Sequence, residues 1–204
     1  MTSAQEALDR LREGNKRFAS GVRSLATLAS QTRLGDHVAR QQPFAVILGC
    51  SDSRVPVETI FDQGMGDLFV IRVAGNIVAP SQVGSVEFAT ERFGTRLVVV
   101  MGHSRCGAIE ATLEELQRPR EYQSDALRSI VDRIRPGIET LLSTELANDP
   151  DELLHQSMRA NVRVSVNQLR HGSTILERHA GENGLMVVGA EYSLETGQVE
   201  FFDG

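Results

Sequence analysis

Cys50, Asp52 and Arg54 stand at alternate positions in "GCSDSRVP" (residues 49–56), directly after the apolar run "FAVIL". A second polar motif, "GHSRCGA" (residues 102–108), closes another apolar run and carries His103 and Cys106. Together they offer two thiolates, one imidazole and one carboxylate, all of them ligands that zinc accepts. The spacing His103-x-x-Cys106 lets the chain curl around one ion, and soft sulfur with imidazole favours zinc over magnesium or calcium. The chain has only these two cysteines. Both are used in polar motifs at the ends of apolar runs, which fits neither a secreted disulfide framework nor casual core filling.

Other chemistries fit the letters less well. "GHSRC" begins like the nucleophile elbow G-x-S-x-G, but Cys106 occupies the final glycine position, where the strained turn requires a small residue. "DQGMGD" (residues 62–67) has a G-x-G without the third glycine or a Walker lysine, so it reads as a turn between helix and strand.

Strands must carry these motifs. Phe44–Leu48, Leu68–Val73, Arg96–Met101 and Leu185–Ala190 are short, continuously apolar runs, the pattern of strands buried on both faces of a parallel sheet. Helical stretches alternate with them at Val57–Asp62, Gln82–Phe93, Gly107–Leu116, Asp125–Leu142 and Glu152–Arg170. The alternation predicts an α/β fold with a mainly parallel central sheet flanked by helices. "QVEFF" (residues 198–202), after the turn-like "ETG", is expected to pair antiparallel as an edge strand. In such a sheet, ligands bind beyond the carboxyl ends of the strands, where both polar motifs fall. Ahead of the core, Ala4–Phe18 reads as an amphipathic helix, with Ser3 and Glu6 at capping-box spacing. Ser24–Arg40 reads as a second helix. With few neighbours before the first strand, both are expected to pack on a partner subunit. "RPREYQSD" (residues 118–125) reads as a surface excursion. One domain spanning residues 1–204 is expected, with a helical arm at 1–40 and the α/β core at 44–204.

The 204 residues are 41% hydrophobic and 24% charged, an ordinary globular balance. A formal charge of -6 argues against nucleic acid or an anionic membrane as the main partner. The charged N-terminus lacks the apolar core of a signal peptide, and no apolar run approaches membrane-spanning length. The expected location is the cytoplasm.

With these residues in view, the chain closely resembles the β-class carbonic anhydrases. The resemblance runs from "LREGNKRF" through "QQPFAVILGCSDSRVPVETIFDQGMGDLFVIRVAGN" and "GSVEFATERFG" to "LVVVMGHSRCGAI". It implies reversible hydration of carbon dioxide to bicarbonate and a proton by attack of zinc-bound hydroxide. It also implies a homodimer or homotetramer whose N-terminal helices embrace the neighbour. By motif position, one zinc per chain would be held by Cys50, His103 and Cys106. Asp52 and Arg54 would form the family's dyad, in which the carboxylate either closes the zinc as a fourth ligand or is held by the guanidinium fork. Extended backbone would put Cys50, Asp52 and Arg54 on one face. Two thiolates cancel the ion's formal charge, so its acidifying effect is expected to be weaker than with three histidines, leaving Asp52 a role as proton acceptor.

The same resemblance assigns Gln41 to a substrate oxygen and the Gly107 amide, at a helix start, to bicarbonate. Phe69, Ala74 and Phe88 would line an apolar carbon dioxide pocket, although core packing explains all three as well. The position of Phe88 is often tyrosine in the family. A non-catalytic bicarbonate site found in some members uses Trp, Arg and Tyr. Here Ile47 replaces the Trp, while Arg72 and Tyr192 read equally well as a buried ion pair and a core tyrosine. His37, His155, His171 and His179 lack ligand spacing and read as solvated. Rival readings are hydrolysis of carbon disulfide or carbonyl sulfide on the same fold, a structural zinc closed by Asp52, and a metal-free Cys–His nucleophile.

Overall fold

The computed structural model describes residues 2–32, 38, 41–118 and 124–202. Its centre is a five-stranded sheet in the order β2-β1-β3-β4-β5. The strands are β1 (Ala45–Gly49), β2 (Leu68–Arg72), β3 (Leu97–His103), β4 (Met186–Tyr192) and β5 (Val199–Phe202). β1 pairs in parallel with β2 and β3, β3 in parallel with β4, and β5 runs antiparallel to β4. Every residue of β1 and β3 is buried. Alternation divides them between two clusters: Val46, Leu48, Val98 and Val100 face one side, and Ala45, Ile47, Leu97, Val99 and Met101 the other. That two-sided burial is the physical origin of the continuous apolar runs.

The helices follow from sequence with local adjustments. α1 (Ala4–Ala19) begins at the expected capping box, Ser3 Oγ accepting from the Glu6 amide at 3.2 Å and the Glu6 carboxylate from the Ser3 amide at 2.8 Å. α2 is described over Leu25–Thr32; the remainder of the expected second helix, except Ser24 and Val38, lies outside the described residues, as does most of the 118–125 excursion. α3 (Val57–Ile60), α4 (Pro80–Phe93) and α5 (Gly107–Gln117) fall where the pattern puts them. The expected 125–142 helix is α-helical only over α6 (Asp125–Ile138), which contains Pro136; the chain continues as a 3₁₀ turn over Glu139–Ser143. Proline removes one backbone donor near the helix end, so the final turns tighten there. α7 (Pro150–His171) is followed by α8 (Thr174–Asn183), which sequence periodicity does not predict. Leu176 is its only buried residue, so its apolar stripe is too sparse to read; Ser173 caps its start and Gly184, left-handed, ends it.

α1 is seated on its own chain. Its Ala7, Leu8 and Leu11 are buried against Ile60, Phe61, Val188 and Tyr192 of its own chain. Asn15, buried, donates to the Ile60 and Gly197 carbonyls at 3.2 and 2.9 Å and accepts from the Val199 amide at 2.8 Å. Arg17 pairs at 2.6 Å with the fully buried Asp62 carboxylate, which also accepts from the Ser24 amide. On α2, by contrast, Leu25 and Leu28 are exposed.

Gly14 lets α1 dock this closely, because a Cβ there would lie 1.8 Å from the Phe61 carbonyl oxygen. Gly14→Ala should therefore lower stability by about 1–3 kcal/mol or more through overpacking against backbone. Gly181→Ala, on α8 with open space around its Cβ, should raise it by up to about 1 kcal/mol. Urea midpoints of the two variants, expected to move in opposite directions, check this.

Candidate metal centre

The strand order reverses direction between β1 and β3: β1 leads to β2 on one side and β3 to β4 on the other. A crevice opens at such a point beyond the strands' carboxyl ends. Cys50 follows β1, His103 ends β3, and Cys106 is the N-cap of α5. The side-chain donors of these three buried residues all lie within 4.8 Å of one another. The two sulfurs are 4.0 Å apart; two zinc–sulfur bonds at tetrahedral angles would put them about 3.8 Å apart. His103 Nδ1 faces the Ser104 carbonyl at 2.9 Å. That contact favours the tautomer with its proton on Nδ1 and leaves Nε2 as a free electron pair. Nε2 is buried with no hydrogen-bond partner among the described residues. A buried lone pair beside two thiols fits a soft divalent cation such as zinc.

The thiols are electrostatically coupled. The hydrogen bond from Cys106 first, helped by the Gly75 amide, holds Cys50 far below the ordinary thiol range against the opposing effect of burial. Cys106 is pushed upward by Cys50 and by burial, while the amides of Ile109 and Ala108 favour its thiolate. The metal-free pair thus keeps one proton between two sulfurs, and a dication would displace it. Backbone groups support the sulfurs. Gly75, at φ 69°, donates its amide to Cys50 Sγ at 3.3 Å, and Asn161 of α7 holds the Gly75 carbonyl at 2.8 Å.

Asp52 and Arg54 meet side by side. Arg54 Nε and Nη2 reach Asp52 Oδ1 and Oδ2 at 3.0 and 2.7 Å, a bidentate fork. The expected extended backbone is replaced by a turn: the Val55 amide bonds the Asp52 carbonyl at 3.1 Å, and the Arg54 amide donates to Asp52 Oδ1 at 2.9 Å. An Asx turn, and not strand alternation, brings the two side chains together. The guanidinium beside it holds the Asp52 carboxyl well below the usual carboxylate range. Asp52 Oδ2 lies 3.8 Å from His103 Nε2, so the carboxylate borders the three donors while bound to Arg54. Arg54 Nη2 has a second acceptor, the Arg105 carbonyl, at 3.1 Å. Arg105 has φ 52°, and its side chain donates to Glu195 at 2.9 Å.

Other expected site residues divide into two groups. Gly107 opens α5, and a Cβ on it would meet nothing within 4 Å, so space remains over the helix start. Ala74 adjoins Gly75 beside Cys50. Phe69, Phe88 and Phe93 instead form an aromatic trio with centroids 5.6–6.2 Å apart, Phe88 being 52% exposed. Phe69 pairs with Val46 near the start of β1. Gln41 is exposed and precedes β1, so the strand's whole length, about 15 Å, separates it from Cys50. Ile47 is core. Arg72 is exposed, and its guanidinium donates to the Cys50 and Asp52 carbonyls, which replaces the expected buried ion pair. Tyr192 is buried as expected. His155 pairs with Glu191 at 3.1 Å, His171 and His179 lie on α7 and α8, and His37 lies outside the described residues. Gly75, Asn161, Arg105 and Glu195 act through backbone groups or on the turns that carry them, and their only sequence signals are turn-like "AGN" and "ETG".

A family model described as carbonic anhydrase matches residues 45–199. The chain is 37% identical over 191 residues to a carbonic anhydrase of Mycolicibacterium smegmatis, covering 93% of this chain and 89% of that one. It is 36% identical to carbonic anhydrase 2 of Mycobacterium tuberculosis, over 99% and 94% of the two chains. Among solved structures, the β-carbonic anhydrase CafA of Aspergillus fumigatus superposes with a TM-score of 0.76 at 27% identity, covering 98% of this chain and 90% of that chain.

In metal-free protein, the Asp52 carboxyl followed by carbon-13 NMR should titrate below the ordinary aspartate value of about 3.9. The carboxyl is depressed in the native state, so its pairing stabilises the fold fully above about pH 4 and is lost as pH falls through the lower native value. Arg54→Ala should move the midpoint back up toward the ordinary value.

Proposed function

Because the chain belongs to the β-class carbonic anhydrase family, we propose that it catalyses the reversible hydration of carbon dioxide to bicarbonate and a proton, with one zinc ion per chain held by Cys50, His103 and Cys106. The observation that carries this reading is the bidentate Asp52–Arg54 pair bordering three buried soft donors. A purely structural zinc has no use for a fourth potential ligand held back by an arginine. When bound, the ion supplies Lewis acidity that lowers the pKa of a water and makes it a nucleophile at neutral pH.

The chain's own residues do the rest. Arg54 keeps Asp52 off the donor cluster and leaves one position open, which separates a catalytic site from a structural one. Asp52, charged throughout the neutral range, accepts a hydrogen bond from the attacking oxygen through Oδ2 and so orients it toward carbon. The Gly107 amide, at the N-terminus of an eleven-residue helix, stabilises the negative oxygen that develops on bicarbonate. Ala74 contributes apolar wall beside Cys50.

Gln41 precedes β1 whereas Cys50 follows it, Phe69 pairs with Val46 near the start of β1, and Phe88 packs on Phe69. We therefore assign Gln41, Phe69 and Phe88 to the site of a second copy, as expected of a homodimer or a tetramer built from dimers. Exposed Leu25 and Leu28 of α2 suit the same contact. No helix among the described residues is long and apolar enough to cross a membrane, and we read the protein as a single-domain cytoplasmic enzyme.

Stopped-flow hydration of carbon dioxide on zinc-quantified protein tests the assignment. Activity should track zinc content toward one per chain and rise with pH. Asp52→Asn should lower kcat by about 10²–10⁴-fold, and Cys50→Ser should remove both metal and activity. One zinc per chain without hydration at any pH would sink the assignment. Mixing Gln41→Ala with Cys50→Ser chains should recover activity in mixed dimers, because one intact site then forms across the interface. Absence of recovery in verified mixed dimers would return Gln41 to its own subunit.

A further inference from the structure

We propose that Glu195, on the turn between β4 and β5, is a positioning residue that holds the Asp52–Arg54 pair in its open arrangement by fixing the Ser104–Arg105 turn. The inference rests on the zinc reading above and adds to it a residue outside the two chemical motifs.

The connection is continuous. Glu195 accepts from Ser104 Oγ at 2.7 Å through one carboxylate oxygen and from Arg105 Nε at 2.9 Å through the other. Ser104 is held on two further sides: its amide donates to the Tyr192 carbonyl at 3.0 Å, and its hydroxyl accepts from the Leu194 amide at 2.9 Å. Ser104 and Arg105 are the two residues between His103 and Cys106. Arg105 takes up the left-handed region at φ 52°, which is unfavourable for a side chain of its size and persists where surrounding contacts dictate it. In that conformation its carbonyl points at Arg54 Nη2, 3.1 Å away. The same nitrogen holds Asp52 Oδ2 at 2.7 Å. Remove the clamp and the carbonyl loses its fixed direction, so Arg54 loses one of three anchors.

Stability does not account for the clamp. Glu195 is 50% and Arg105 68% exposed in their side chains, and ion pairs this accessible contribute little to folding. Three side-chain donors nevertheless converge on one carboxylate, including Ser193 Oγ at 3.3 Å. Hydrogen bonds from Ser104 and Arg105 hold Glu195 down to about 2, so it stays charged wherever the enzyme works.

The test uses Glu195→Ala, Glu195→Gln and Arg54→Ala, each zinc-loaded and, separately, cobalt-substituted. Glu195→Ala should melt within a few degrees of the parent, yet lose about tenfold in kcat with KM little changed. Its cobalt visible spectrum at pH 8 should shift toward that of Arg54→Ala, in which the Asp52 carboxylate is released. Glu195→Gln, which keeps one acceptor oxygen, should fall between. Adding Glu195→Ala to Arg54→Ala should change neither spectrum nor kcat further. A parental cobalt spectrum in Glu195→Ala, or an additive loss in the double variant, would overturn the inference and leave Glu195 a turn stabiliser. Failure of the parent protein itself to bind one metal and hydrate carbon dioxide would instead overturn the underlying reading.

Discussion

Two sulfurs and an imidazole nitrogen, all buried and within 4.8 Å of one another, are an unstable company without a cation. Polar atoms removed from water need partners, and His103 Nε2 has none among the described residues. Everything around the strand ends can be read as tolerating that arrangement. The crevice between β1 and β3 is the one place where the sheet's topology leaves room for side chains from two neighbouring strands to converge. The apolar interiors of those strands fix the register, Gly49 opposite Met101, that brings Cys50 and His103 to adjoining strand ends.

Around the donors lies a layer made largely of backbone. Arg72 grips the carbonyls of Cys50 and Asp52, the Gly75 amide touches Cys50 Sγ, and Asn161 steadies the Gly75 turn from α7. Ser165, one helical turn further along α7, holds the Asn76 carbonyl at 3.0 Å. The long helix thus serves as a rigid rail beneath a short irregular segment. Outer contacts of this sort orient the ligands and adjust their basicity.

The sheet and the donor set were legible in the amino-acid order because each depends on side-chain type alone. Continuous Val and Leu runs announce strands buried twice over, and Cys50, His103 and Cys106 announce a soft donor set by their chemistry. What was hidden depends on main-chain direction or on sparse burial. The Asp52–Arg54 pair is made by a turn, although its alternate spacing looks like a strand. The Arg105 carbonyl and the Gly75 amide carry no letter of their own. α8 buries a single leucine and leaves almost no periodic trace. Gln41 matched a family pattern in one dimension, but its place at the opposite end of β1 from Cys50 appears only when the chain is folded.

Asn15 has a further consequence. Its partners, the Gly197 carbonyl and the Val199 amide, are 182 and 184 residues away. On a ribosome adding about 5–20 residues per second, α1 emerges roughly 10–40 s before the turn that receives it exists. During that interval Leu8 and Leu11 have no hairpin to close over them. Although α1 precedes the sheet in the chain, it is therefore among the last elements to seat, and its docking marks the moment when β5 has joined the sheet.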